Sequence, residues 1–167
     1  MAHTPMPNPR GPESAGVSPV LAVVFATIGF FALAIFGLGA VSVLTDSDII
    51  ATPGLGQWPG IGGMAAAVLA FALLLWSVVR RPGPSFFSAL VIAVATALAH
   101  LAAVWIAVAS VAGSALLATA VAGDLVRGGA SAVLLLAAAI GAWAGIALRR
   151  TRARHPRWPW ERDDDVE

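Results

Sequence analysis

The sequence has no cysteine, no tyrosine and no lysine, and only 11% of its 167 residues are charged. The missing cysteine excludes disulfides, thiolate nucleophiles and cysteine-bound metal clusters. The shortage of charge excludes more. A soluble domain carries about 25% charged residues, and a chain that is 59% hydrophobic has too few polar side chains to cover a globule. Its natural solvent is a bilayer. All ten basic residues are arginine. With the heavy use of Ala, Gly, Val and Pro, that points to a GC-rich source genome and not to any function. Six tryptophans supply the amphipathic aromatics.

What the chain does have is four long apolar runs. Residues 1–18, MAHTPMPNPRGPESAGVS, are rich in Pro, Gly and Ser and read as a disordered tail. The first run, about 19–44, carries no charge and exceeds the roughly 20 residues a helix needs to cross. Pro19 suits its first turn. Small residues at Gly39–Ser42 imitate a signal-peptidase site. The run is nevertheless longer than an h-region of about 7–15 residues, so it reads as a retained span. A turn-rich loop with Asp46, Asp48 and Trp58 leads to the second run, about 61–79, which stops at Arg80-Arg81-Pro82-Gly83-Pro84. The third run is about 85–111 and the fourth about 130–148, halted by RRTRARHPR. Between them, 112–129 is mildly apolar with Asp124 and Arg127. It fits either a short surface helix or a continuation of the third span.

Four spans place both termini on one side. Arg10, Arg80, Arg81, Arg149, Arg150, Arg152, Arg154, Arg157 and Arg162 fall on that side, and Arg127 alone on the other. Positive charge stays inside, so N-in, C-in follows. The expectation is an all-α, four-helix integral bundle of a bacterial cytoplasmic membrane. It comprises a tail (1–18), a transmembrane domain (19–148) and a cytoplasmic tail, basic then acidic (149–167).

Lipid gives helices no hydrophobic reason to associate, so small residues that let backbones approach must do it. Gly141 and Gly145 form a GxxxG pair, extended by Ala137. Gly62, Ala66 and Ala70 in the second run, and Ala95, Ala99, Ala103 and Ala107 in the third, repeat the spacing. Nothing in the sequence says whether these faces meet within one chain or between chains.

No catalytic set is present: there is no Walker, GxGxxG, HExxH or GxSxG pattern. No carboxylate lies in a span, which argues against an ion-coupled carrier. The three histidines, His3, His100 and His155, lie at different depths and cannot share a metal. An enzyme is therefore not expected, nor a cofactor. His100 is the one ionisable group inside a span. It reads either as a proton relay, ligand contact or pH-sensitive group, or as a neutral imidazole hydrogen-bonded to Thr96 one turn earlier or to a facing carbonyl, which is the favoured reading.

Arg80, Arg81, Arg149, Arg150, Arg152 and Arg154, with Trp158 and Trp160, read as topology anchors among anionic headgroups. A docking peptide is the alternative for the tail. Nucleic acid is not an expected partner, because the basic run is short, membrane-tethered and followed by acids. The layout, with its Ala/Val-rich spans, Arg-only basic residues and closing HPRWPWE at 155–161, resembles uncharacterised small four-span membrane proteins of high-GC actinobacteria. That resemblance implies no activity. The expected role is an accessory or scaffold subunit of a larger membrane complex or a self-associating bundle. The alternative is a small-solute transporter or channel subunit acting as an oligomer, with His100 lining the path.

Overall fold

Ser18 starts the first helix as its cap, accepting a hydrogen bond from the Leu21 N–H at 3.2 Å, and Pro19 follows in the first turn. The computed structural model describes residues 17–46, 56–81 and 83–150, all helical apart from short connections. Five helices follow in order: α1 (Pro19–Thr45), α2 (Trp58–Val79), α3 (Phe87–Ala112), α4 (Ala115–Arg127) and α5 (Ala130–Arg150). Among the described residues, α1, α2, α3 and α5 are long and apolar enough to cross a membrane. At 1.5 Å per residue, the 21-residue α5 is about 32 Å long, close to a hydrocarbon core of about 30 Å.

The segment left open between the third and fourth runs is a separate helix. Gly113 ends α3 in the left-handed conformation (φ 64°), and its N–H reaches the Ala109 carbonyl at 2.9 Å. Ser114 then caps α4 by accepting from the Leu117 N–H. Gly128 and Gly129 (φ 85°) turn the chain into α5. One stripe of α4, Ala118, Val121 and Leu125, is buried in a cluster with Val104 and Val108 of α3 and Ala130 of α5. Trp105 ties the pair by donating its indole N–H to Thr119 Oγ1 at 3.1 Å.

Helix α2 packs between α1 and α3, and α5 closes the other side against the same two. The core is small. On α1 the buried stripe is Ala22, Ala26, Phe30 and Ala34. On α2 it is Gly63, Ala67, Phe71, Leu75 and Val79, after the buried Pro59. Phe30 and Phe71 stack at its centre, with centroids 4.6 Å apart and an interplanar angle of 17°. Gly141 lies beside that stack. A Cβ there would meet Phe30 Cβ and Phe71 Cζ at 3.2 Å each, and one at Gly145 would stand 2.9 Å from Ala26 Cβ and 3.0 Å from Leu75 Cδ2. Ala137, Gly141 and Gly145 are buried together, and both glycines receive α1 and α2 of their own chain.

Two other small-residue stripes need correcting. The buried face of α2 is one residue on from Gly62, Ala66 and Ala70: Gly62 is exposed with nothing within 4 Å, whereas Gly63 is buried. On α3 the buried face is Ile92, Ala93, Thr96, Ala97, His100, Val104 and Val108, with Ala95, Ala99, Ala103 and Ala107 on its flank. Both errors share a cause. In an Ala-rich helix several stripes have the same spacing, so spacing does not say which one is buried. Leu69 and Leu73 of α2 and Val94 and Leu98 of α3 point outward.

The tight seam makes a differential prediction. Gly145→Ala should destabilise the fold by about 1–3 kcal/mol through overpacking. Gly29→Ala, where an added Cβ meets nothing within 4 Å, should change stability by no more than about 0.5 kcal/mol. Thermal unfolding of the two variants in one detergent compares them directly.

Candidate functional site

His100 lies on the buried face of α3 with 6% of its surface exposed, and Thr96, one turn earlier, is fully buried. The imidazole lies against α2 where Gly63 has no side chain. A Cβ at Gly63 would stand 3.1 Å from His100 Nε2 and would clash with Val104 Cγ2. Glycine is therefore what lets the imidazole approach the neighbouring helix this closely. The Thr96–His100 hydrogen bond expected from their spacing is absent. Thr96 Oγ1 and His100 Nδ1 are both buried without a partner among the described residues. A four-residue separation puts the two side chains on adjacent turns of one face without by itself bringing their polar atoms together. Gly63 was not singled out from the sequence. A glycine doublet, Gly62-Gly63, opposite a lone histidine was the available signal.

The second polar group lies at the end where α1 begins and α2 and α5 finish. Arg149, half-buried, donates its Nε–H to the Val79 carbonyl at 3.1 Å and an Nη1–H to the Val17 carbonyl at 2.8 Å. It thus satisfies an orphan carbonyl at the C-terminus of α2 and holds the entry to α1. Arg150, the next residue, is exposed, and its guanidinium carbon lies 4.8 Å from the centroid of Phe86, just before α3. Phe86 in turn packs against Trp143 of α5 at 6.1 Å. The two arginines therefore tie all four long helices at one end. Arg80 and Arg81 are exposed at the same end, after α2. The remaining expected anchors, Arg152, Arg154, Trp158 and Trp160, lie outside the described residues. The positive-inside rule treats the basic residues alike as anchors and does not distinguish Arg149 as a clamp.

At the other end, Asp124 and Arg127 of α4 pair at 2.7 Å on the surface. Among the described residues no three His, Asp or Glu come together as a metal site.

These features define a small all-helical protein with four helices able to cross a membrane, a cationic clamp at one end and a lone histidine inside. Within that class, the chain belongs to DUF6121, a family of unknown function, whose pattern it matches over residues 17–167. No curated protein and no solved structure matches it.

Two substitutions separate the polar groups by role. Arg149→Gln should lower stability by about 2 kcal/mol, the scale of losing charged hydrogen bonds to two carbonyls, and Arg149→Lys should recover only part of it because an ammonium lacks the fork. His100→Leu should leave the melting temperature unchanged or raise it, since it removes a buried polar atom that has no partner. Melting curves of purified variants read both.

Proposed function

We propose that the protein is a four-span bundle of a bacterial cytoplasmic membrane with both termini inside, acting as a non-enzymatic accessory or scaffold subunit of a larger membrane complex. The observation that carries the membrane reading is the outward surface of the long helices. Phe25 and Phe36 of α1 are 61% and 76% exposed, and Leu73, Leu98, Ile106, Leu136 and Ile140 on the other long helices are also exposed. A surface of this kind is stable only against lipid or another apolar surface. Val17 and Arg149 meet at the same end as Arg80 and Arg81, which supports putting both termini on the arginine-rich side. The arginine-only basic set supports a high-GC source.

Two features favour the accessory role over transport. The interior is filled by Phe30, Phe71, Leu75, Leu134 and Ile146, all fully buried. His100, the group a transport path would use, faces Gly63 of its own chain. Among the described residues, helix α1 packs mainly on α2 and α5, which leaves it a broad free apolar face for a partner or a second copy.

Fusion of a reporter to the C-terminus should give a cytoplasmic signal; a periplasmic signal would reverse the orientation. Mild detergent extraction should recover the protein with a defined, stoichiometric membrane partner or as an oligomer. A lone monomer across several detergents would overturn the accessory role, and a His100-dependent, pH-dependent flux in liposomes would favour transport.

A further inference from the structure

We infer that Arg150, Phe86 and Trp143 form a binding site for one anionic phospholipid, with its phosphate on the Arg150 guanidinium and an acyl chain along the boundary between α3 and α5. This deepens the membrane reading above and rests on it.

The first argument is the division of labour between neighbouring arginines. Arg149 spends its donors on the Val79 and Val17 carbonyls. Among the described residues Arg150 makes no such bond. Its guanidinium carbon instead lies over the Phe86 ring, 4.8 Å from the centroid, while the residue itself stays exposed. A guanidinium held by its face presents a fork of donors that matches two phosphate oxygens. Stacking also removes rotamer freedom before the ligand arrives, so less is lost on binding.

Charge supplies the second argument. Arg80, Arg81, Arg149 and Arg150 share this end. Among the described residues the only carboxylates are Asp46, after α1, and Asp124, in α4, both at the opposite end. A phosphodiester is the complementary partner at this depth.

The apolar half of the site is the third argument. Trp143 lies seven residues before Arg150 on α5, about 10 Å deeper on the same face. It touches Phe86 yet stays 57% exposed. Ile140 of α5 and Leu90 of α3 continue this exposed surface away from the headgroup level. An aromatic shelf below a cation fits a lipid, which carries charge and hydrocarbon in one molecule, and not a free anion.

Native mass spectrometry of the full chain in detergent tests this. The probes are palmitoyl-oleoyl phosphatidylglycerol and phosphatidylcholine with the same chains, with inorganic phosphate as a separate arm. The wild type should retain one phosphatidylglycerol in preference to phosphatidylcholine. Arg150→Gln should weaken that retention about tenfold, the scale of a charge-assisted bidentate contact. Trp143→Ala, which keeps every charge, should weaken it about fivefold through lost acyl contact. The Arg80→Gln/Arg81→Gln double variant should change it less than about twofold, given screening of exposed charges. Equal retention of both lipids, an unaffected Arg150→Gln protein, or an equal loss in the Arg80/Arg81 double variant would overturn the site. So would displacement of the lipid by millimolar phosphate. A severalfold gain in retention with Asp163→Asn/Asp164→Asn/Asp165→Asn would assign the guanidinium to the chain's own acidic tail instead. Recovery of every variant in the membrane fraction separates failure of the site from failure of the membrane reading.

Discussion

The structure depends on the absence of a side chain at Gly141. The stacked rings of Phe30 and Phe71 fill the centre, and α5 reaches them only because its backbone can lie where a Cβ would be 3.2 Å from each. Interiors are packed to crystal-like density, so the space removed at Gly141 is the space the two rings occupy. Ala26 and Gly145 repeat the close approach one turn further along. With α5 seated in the groove between α1 and α2, the other contacts follow. Val133 lies against Gly37 near the start of α5, and α4 closes over Val104 and Val108.

The same seam determines the roles of two adjacent arginines. Ala137, Gly141, Gly145 and Arg149 recur every four residues, so Arg149 continues the face that α1 and α2 cover. Its guanidinium arrives among backbone carbonyls and is consumed there. Arg150 is rotated by about 100° and falls on the stripe of Leu136, Ile140 and Trp143, which faces outward. One step along the helix separates a structural clamp from a group free to bind. Treating the basic run as a uniform set of anchors hides this difference, because the positive-inside rule counts charges without regard to helix face.

That contrast marks how much of the fold was legible in advance. The four long helices were legible, because length and lack of charge identify them without knowledge of their neighbours. Their ends match the apolar runs to within a few residues, and Pro19 stands in the first turn of α1 as expected, whereas Ser18, assigned to the tail, is that helix's cap. Which face of each helix is buried was not legible for α2 and α3. In a soluble helix, polarity marks the outer face. A helix that is apolar all round loses that mark. Size alone does not replace it, because Phe71 and Leu75 are inside with Gly63 and Ala67, while Leu69, Leu73, Val94 and Leu98 are outside. The buried face of α2 is one residue on from the Gly62 stripe, and it brings Gly63 to His100.

His100 then takes on a different meaning. A sequence-level view makes an ionisable group inside a span a functional site by default. Here the imidazole lies on a glycine, its Nδ1 and the nearby Thr96 Oγ1 are unpaired, and neither a second histidine nor a carboxylate is found beside it among the described residues. At the arginine end, by contrast, Arg149 meets two carbonyls and Arg150 an aromatic face. Among the described residues, polar chemistry with organised partners is therefore at the helix ends, and the interior is given over to close packing. A protein that works by docking would place its recognition groups in just this way, on its surface and at its ends. The unpaired atoms on α3 are a cost the packing tolerates, because Gly63 lets the ring fill space that Val104 and α2 would otherwise leave empty.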